Sequence, residues 1–490
     1  MPEKYHIPVV ATPGQFRRVG KFGSVDWRED CSRCTNCVKP RCLYEVYKHE
    51  TAHNRDPLAA VQTHYECKAC LSCVQGCTKG LLAVGVNPEF LDMGDDYWTP
   101  AIIATTWAQA DSGRIPVSGA GYRGRFSGPG FDSIWTDMSE IVRPTRDGIH
   151  GREYISTTVD IGPKPLRLTF APDGSVVGAA LSLIEIQLPV VLDRPAWAME
   201  ASSGKALALA RAAAASKLHG LAIVEPEHLA EIPAEQLAGV VPLIATAKDV
   251  ASCRELLARV RMIELVESKE ANSLIESVRR INPAAVLAMR MDLTPGVADA
   301  ILKYAAGPVK VFHLCADKHG REVASDECRV SPPMPNAQSP MPFSPRHIKD
   351  ALREVHSALV KAGRRDEITL VMGGGIGLAE HMAKTIICGA DLVAVDTPLL
   401  VALGCRACRA GHVANDSADL RHCPAGLNAA VDPSYAAQRM VNLMGAWHSQ
   451  LIEVLGAMGI REIRRLRGEA GRAIFMEEIE KEAFGDIVRK

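Results

Sequence analysis

Eight short apolar runs, each followed by a helix-like stretch, constrain the fold of this chain more than any other feature. The runs are rich in β-branched residues, and amphipathic stretches such as KDVASCRELLARV separate them. They lie at 188–192, 220–224, 240–245, 262–266, 286–291, 309–314, 368–373 and 391–395. Strand–helix units in this number, over roughly 250 residues, predict an α/β fold, a (β/α)8 barrel of the TIM type. A doubly wound open sheet is the alternative, but its glycine-rich turn usually follows the first strand, whereas here it follows the seventh.

Cysteines are clustered ahead of these runs. The chain has 15 cysteines, and eight of them form two blocks, CSRCTNCVKPRC and CKACLSCVQGC. Three thiolates at C-x2-C-x2-C spacing can bind one cubane, and the fourth ligand usually comes from the other block. We therefore predict two 4Fe–4S clusters in a module that resembles the two-cluster bacterial ferredoxins. One cluster would take Cys31, Cys34, Cys37 and Cys77, and the other would take Cys67, Cys70, Cys73 and Cys42.

Two details of the blocks depart from the ferredoxin pattern. Thr78 stands where a proline usually follows the last cysteine, and four residues rather than three precede Cys42. A pair of zinc sites is the alternative interpretation, because zinc sites also use C-x2-C pairs. Zinc needs no third cysteine two residues further on, so the spacing favours iron–sulfur clusters.

Composition limits the partners and the compartment. Lys and Arg total 56 against 57 Asp and Glu, which gives no global charge to attract nucleic acid or a membrane surface. No apolar run reaches the roughly 18 residues that a membrane span needs, and MPEKYHIPVV lacks the pattern of a signal peptide. We therefore expect a cytoplasmic protein, in which cysteines serve metal or redox chemistry rather than disulfides.

The chain divides into four predicted segments. Residues 1–90 form the ferredoxin-like module, and 91–165, rich in Gly, Pro and Arg, form a connector that wraps over the next domain. Residues 166–430 form the barrel, which begins with a β-hairpin turning at PDGS. Residues 431–490 form a charged, amphipathic helical extension.

A glycine-rich turn follows the seventh predicted strand. Gly373, Gly374 and Gly375 would let backbone N–H groups approach an anion near a helix N-terminus, and many barrels bind a phosphate at this position. The phosphate could belong to a substrate or to flavin mononucleotide (FMN). Arg290, at the end of the fifth strand, could stabilise negative charge on a reduced flavin. The alternatives are an ordinary tight turn and a salt-bridged barrel arginine.

The segment GGGIGLAEHMAKTIICGADLVAVDTPLLVALGC, followed by HCPAGL, resembles the FMN-binding synthase domain of glutamate synthases. It is most similar to the short archaeal-type chains with an N-terminal ferredoxin module. The resemblance covers most of residues 130–470 and is specific at 370–427. It implies FMN at the barrel mouth, with the phosphate on the glycine turn and near Thr397. It also implies a third iron–sulfur cluster in the loop 405–423, where Cys405, Cys408 and Cys423 are the candidate ligands.

Departures from the family pattern limit what the resemblance implies. The middle cysteine of the cluster loop is replaced by Gly411, and Arg290 stands where the family has a lysine. The family motifs after strands one, two, four and six are absent, so we do not expect a 2-oxoglutarate pocket. No nicotinamide fingerprint is visible, so NAD(P)H would need another subunit.

The resulting hypothesis is an iron–sulfur flavoprotein oxidoreductase, or electron-transfer subunit, of a larger redox complex. We expect a hetero-oligomer with other redox subunits or ferredoxin-type carriers, and neither nucleic acid nor a membrane span. The alternatives are a ferredoxin- or ammonia-dependent glutamate synthase and a non-catalytic scaffold that carries clusters. No catalytic residue is assigned. Cys253 and Cys388 are interpreted as buried small hydrophobes, Cys315 and Cys328 as buried or idle thiols, and His313 as a packed or solvated histidine.

Overall fold

A computed structural model describes most of the barrel and part of the N-terminal module. The described residues are 5–16, 18–27, 30–32, 34, 36–37, 40–44, 69–115, 128–136, 155–164, 169–177, 183–194, 201–323, 344–407 and 431–488. The chain forms two compact units. The smaller is Gly14–Ala104 with Gly404–Gly426, and the larger is Met1–Pro13, Thr105–Leu403 and Leu427–Lys490. None of the described helices is long and apolar enough to cross a membrane.

The smaller unit is built on a two-stranded antiparallel sheet. Strand β1 (Phe22–Trp27) pairs with β2 (Leu82–Val86), so that Trp27 stands opposite Leu82. The helices are α1 (Ser72–Gln75), α2 (Pro88–Leu91) and α3 (Pro100–Ser112), which continues into the larger unit. Asn87 caps α2, because its side chain accepts from the backbone N–H of Glu89 at 3.0 Å. The sheet thereby brings the start and the end of the cysteine-rich region together.

Short antiparallel strands precede the barrel in the larger unit. They are β3 (Ile134–Thr136), β4 (Val159–Ile161), β5 (Thr169–Phe170), β6 (Val176–Val177) and β7 (Ile184–Ile186). Strands β5 and β6 form the hairpin predicted around PDGS, and β4 pairs with β7. These pairs lead the chain into the first barrel strand.

Eight parallel strands close into a barrel, which confirms the predicted fold. They are β8 (Val190–Leu192), β9 (Leu221–Val224), β10 (Val240–Ile244), β11 (Met262–Val266), β12 (Val286–Asp292), β13 (Val311–Cys315), β14 (Thr369–Gly373) and β15 (Leu392–Val395). Each overlaps one of the apolar runs, although β12 and β13 extend one residue past theirs, and β15 pairs with β8 to complete the ring. The strands are almost entirely buried, as expected for strands covered on both faces.

Helices follow all but one of the strands. They are α4 (Ala201–Lys217), α5 (Ala247–Ser252), α6 (Arg254–Leu257), α7 (Ala271–Ile281), α8 (Val297–Ala305), α9 (Ile348–Lys361), α10 (Ala379–Ile387) and α11 (Thr397–Ala402). After β9 the chain instead forms two 3₁₀ helices, Pro226–Glu231 and Ala234–Gly239. Prolines 226 and 233 disfavour a continuous α-helix through this segment.

The C-terminal elements are α12 (Pro433–Ala457), β16 (Ala473–Phe475), which pairs with β3, and α13 (Met476–Val488). Helix α12 packs on α4 and α10. Its fully buried Arg439 donates to the carbonyl oxygens of Ala402 at 2.5 Å and Thr12 at 2.6 Å. This side chain therefore ties the N-terminal segment and the end of α11 to the C-terminal helix.

Candidate functional site

The mouth of the barrel, where the strands end, holds a buried network of ion pairs. Arg290 in β12 donates from Nη2 to Asp193 Oδ1 at 2.5 Å and from Nε to Glu264 Oε1 at 2.6 Å. Asp193 directly follows β8, and Glu264 lies in β11. The Arg290 side chain is 14% exposed. Its charge is therefore matched by two carboxylates and is not free to act alone on a ligand.

His313 joins this network from the neighbouring strand. Arg290 and His313 are register partners in β12 and β13. Nδ1 of His313 lies 2.9 Å from Glu264 Oε1, and Nε2 lies 3.9 Å from Asp193 Oδ2. The His313 side chain is 1% exposed, and Nε2 has no hydrogen-bond partner among the described residues. One ring nitrogen is therefore fixed by a carboxylate, while the other remains available.

The charges in the network act on each other's protonation. Burial lowers the pKa of His313, but interactions with Cys315 and Glu264 outweigh it and raise that pKa to about 10. Burial would raise the pKa of Glu264, yet Arg290 and His313 hold it at about 2. At neutral pH the network therefore contains an imidazolium as well as a guanidinium.

The glycine turn after β14 packs against the chain that follows β13. A Cβ on Gly374 would lie 2.5 Å from the carbonyl oxygen of Ala316, and one on Gly375 would lie 2.4 Å from the backbone nitrogen of Gly320. Both glycines have positive φ, at 92° and 65°. Close approach to the 316–320 segment is thus one physical requirement for glycine here. The predicted phosphate role of Gly373, Gly374 and Gly375 remains a prediction.

A buried carboxyl and a buried hydroxyl lie at the end of β15, the strand that pairs with β14. Asp396 and Thr397 follow β15, whose Ala394 is the register partner of Gly373. Burial raises the pKa of Asp396 to about 6, since the backbone N–H of Thr397 only partly offsets the cost of burying its charge. Thr397 Oγ1 has no hydrogen-bond partner among the described residues. A buried hydroxyl without a partner is chemically suited to bind a phosphate, and the role of Thr397 stays a prediction.

In the smaller unit, cysteines from both sequence blocks come together. Cys37 and Cys73 are buried and pack with Leu82, and Cys77 lies against them. Burial raises the pKa of Cys37, and charge interactions with Cys77, Cys34 and Cys31 raise it further. Cys37 of the first block therefore lies close to Cys73 and Cys77 of the second.

The second set is described only in part. Backbone and side-chain hydrogen bonds from Ser72 lower the pKa of Cys70, and the backbone N–H of Leu43 adds to this effect. Leu43 directly follows Cys42, so this contact brings Cys42 and Cys70, from different blocks, to the same region. Cys67 lies outside the described residues.

Backbone N–H groups point at two further candidate sulfurs. Leu81 donates to Cys77 Sγ at 3.4 Å, and such contacts lower the pKa of Cys77. Ala407 donates to Cys405 Sγ at 3.3 Å. N–H donors of this kind stabilise thiolate ligands and tune cluster potentials.

The start of the predicted cluster loop is anchored within the smaller unit. The carbonyl oxygen of Arg406 accepts from the backbone N–H of Gly94 at 2.9 Å, and its guanidinium pairs with Glu89 at 2.9 Å. Cys405 thus belongs to the same unit as the ferredoxin-type cysteines. Cys408 and Cys423 lie outside the described residues.

No metal-binding group is assembled in the part of the chain that is described. Among those residues, no three His, Cys, Asp or Glu side chains are arranged to hold a metal ion. The cysteine sets are therefore neighbourhoods rather than closed ligand shells, and the cluster assignments remain predictions.

Sequence reasoning missed three carboxylates of the barrel mouth. Asp193 and Asp396 each directly follow a strand, and Glu264 lies inside the apolar run MIELV. A charged residue within a buried strand, or at the C-terminal end of a barrel strand, is the signal that could have found them. His313 was expected to be packed or solvated, and the structure places it inside the ion-pair network. Cys253 and Cys388 are buried, as predicted.

Comparison with known proteins adds a family relationship. A family model described as the conserved region in glutamate synthase matches residues 230–461. The archaeal-type glutamate synthase (NADPH) of Dehalococcoides mccartyi is 23% identical over 91% of this chain and 93% of its own length. The archaeal glutamate synthase (NADPH) of Archaeoglobus fulgidus is 23% identical over 94% and 96%. That of Methanocaldococcus jannaschii is 35% identical, but over 28% of each chain.

Solved structures add little to this relationship. A mandelate oxidase mutant with a monooxide FMN adduct covers 78% of this chain and 93% of its own, with a TM-score of 0.38 and 12% identity. A likeness at this level carries less weight than the strand topology itself.

Proposed function

Because this chain belongs to the glutamate synthase family as a diverged member, we propose that it is an iron–sulfur flavoprotein oxidoreductase that transfers electrons within a larger redox complex. The observation that carries the proposal is the convergence of cysteines in the smaller unit, where Cys37 packs with Cys73 and Cys77 of the other block. Sulfurs gathered from two sequence blocks are the ligand arrangement of paired 4Fe–4S clusters.

The third cluster would lie in the loop that starts at Cys405, held with Cys408 and Cys423. The contacts of Arg406 with Gly94 and Glu89 support this role, because they join the start of the loop to the unit that would hold the first two clusters. Along the chain, the loop follows α11 of the barrel directly. Clusters carry single electrons, so a short chain of them suits transfer between partners and the barrel.

FMN would be held at the barrel mouth by the turn Gly373–Gly375 and the hydroxyl of Thr397, which lacks a partner among the described residues. When bound, FMN would convert single electrons into a two-electron step. The protein's own contribution would be to bind the phosphate through these groups. Arg290 would add little net charge near the ring, because Asp193 and Glu264 already neutralise it.

Glutamate synthesis is the second candidate, since the relatives are named glutamate synthases (NADPH). The paired state of Arg290 weighs against it, because a guanidinium held by two carboxylates is poorly placed to bind a dicarboxylate substrate. A scaffold that only carries clusters is the third candidate.

Metal and flavin analysis of the anaerobically purified full-length chain tests these candidates. We expect about eight to twelve iron atoms per chain, since each cubane holds four, together with about one FMN. Iron at that level without FMN would leave a cluster-carrying scaffold, and absence of iron would overturn the proposal. Glutamate formation from 2-oxoglutarate, ammonia and reduced ferredoxin would favour the second candidate.

A further inference from the structure

A cysteine and a histidine lie side by side at the barrel mouth, and the proposed electron transfer uses neither. Cys315 and His313 are two residues apart on β13, so their side chains point to the same face of the strand. That face is the barrel interior, because His313 contacts Glu264 and approaches Asp193 on other strands. His313 is fully buried, whereas Cys315 at the strand end is only partly buried. The thiol is therefore the more accessible member of the pair.

A carboxylate orients the imidazole of His313 on one side. The other side of the ring faces the residue that pairs with Cys315 on the neighbouring strand. Nδ1 of His313 is engaged by Glu264 at 2.9 Å. Nε2 is turned toward Gly373, where an added Cβ would lie 2.8 Å away. Gly373 is the register partner of Cys315. The charge of Cys315 also acts on the imidazole and raises the pKa of His313.

We propose that Cys315, His313 and Glu264 form a nucleophilic triad that reacts with the carbonyl carbon of an acyl compound. A carboxylate that fixes one nitrogen of an imidazole, whose other nitrogen serves a thiol, is the arrangement that activates catalytic cysteines. Its position also agrees, because barrel enzymes carry their reactive groups at the ends of strands. This activity goes beyond the proposed electron transfer and does not depend on FMN or iron.

The chemistry balances without a further reactant. The proton shared by the pair rests on Nε2 of His313, and the sulfur of Cys315 attacks the carbonyl carbon. A carbon–sulfur bond forms, and the bond from the carbonyl carbon to the leaving group breaks, with the electron pair and the proton of His313 going to the leaving group. Water then attacks the thioester and gives one proton to Nε2 of His313. The carbon–sulfur bond breaks, the acid leaves, and the thiolate and the imidazolium are restored. Arg290 and Asp193 are the other charged groups that face the imidazole.

Acetylation by 4-nitrophenyl acetate tests the proposal on the full-length, anaerobically purified protein. Release of nitrophenolate gives the rate, and mass mapping of peptides locates the acetyl group among the cysteines. We expect a burst that acetylates Cys315, its loss in Cys315→Ser and no change in Cys253→Ser. In His313→Gln and in Glu264→Gln the rate should fall about 100-fold or more, the range typical of acid–base assistance.

Gly373→Ala keeps the test decisive if the buried substitutions fail to fold. This variant keeps all three triad residues, but its added methyl group would press against Nε2 of His313. Acetylation of Cys315 should therefore slow at least tenfold. Gly220→Ala is the matched control, because the atom nearest to its added Cβ is 3.9 Å away. Iron and flavin contents, measured on the same samples, separate this outcome from failure of the proposed function. Acetylation spread over exposed cysteines, or an unchanged rate at Cys315 in every variant, would mean only an accessible thiol and would overturn the triad.

Discussion

Nε2 of His313 lies so close to Gly373 that a Cβ at that position would be 2.8 Å from it. Gly373 ends β14 and has no positive φ, so its backbone does not itself require glycine. The glycine turn therefore has two physical explanations. Gly374 and Gly375 accommodate the neighbouring 316–320 segment, while Gly373 leaves room for the imidazole. The proposed binding of a phosphate would be an additional role, and it would not replace either of these.

Substitution of Gly373 by alanine should destabilise the barrel. The new methyl group must displace the imidazole or shift β14, and overpacking of this kind costs about 1–3 kcal/mol. Thermal unfolding followed by circular dichroism measures the change, with Gly220→Ala as control. Equal melting temperatures for the two variants would show that the His313 side chain adjusts at no cost.

Asp396 should make FMN binding depend on pH. Its pKa is raised to about 6, so the carboxyl is neutral below that pH and negatively charged above it. A negative charge beside Thr397 repels a phosphate, and we therefore expect tighter FMN binding at pH 5.5 than at pH 7.5. Asp396→Asn should remove the dependence and strengthen binding at pH 7.5. Quenching of FMN fluorescence during titration measures both effects.

The same substitution provides an internal control. A carboxyl whose pKa is raised by folding stabilises the protein fully below its unfolded value, near 3.8, and loses that contribution as pH rises through about 6. At pH 7 the free energy of unfolding of Asp396→Asn should therefore exceed that of the wild type by on the order of 1–3 kcal/mol. Denaturant titration measures the difference. FMN affinity that changes with pH equally in both proteins would assign the effect to another group.

His313 should give the folded state a stability that declines at alkaline pH. Its pKa is raised to about 10 by Cys315 and Glu264 despite burial, against 6.5 for the ordinary group. The contribution is complete below about 6.5 and is lost as pH rises toward 10. The difference in unfolding free energy between wild type and His313→Gln should therefore shrink over this range.

The barrel was predictable because its signal is local and repeated. Each strand, such as Met262–Val266, is a short apolar run, and closure follows from the number of strand–helix units. Proline at 226 and 233 explains the one place where 3₁₀ helices replace the expected α-helix. Patterns of this kind depend on residues that are close in the sequence, so the sequence alone predicts them.

The ion-pair network was not predictable in the same way. Asp193 and Arg290 are 97 positions apart, and their pairing depends on closure of the barrel rather than on any local pattern. The sequence alone left two interpretations of Arg290 open, a cation facing a flavin and a salt-bridged residue. The structure shows that Arg290 is the salt-bridged residue. The sequence could not show this, because the two carboxylates come from distant strands.

Cluster ligands crossing between the two cysteine blocks should be visible in the iron lost by paired substitutions. Cys77 interacts with Cys37 of the first block, and the N–H that follows Cys42 reaches Cys70 of the second. If the ligands cross, Cys31→Ser combined with Cys77→Ser removes one cluster, about four iron atoms per chain. Cys31→Ser combined with Cys42→Ser removes both clusters, about eight iron atoms. Uncrossed blocks would reverse the two results. Cys388→Ser, at a buried thiol of the barrel, should lose no iron, and it controls for general instability.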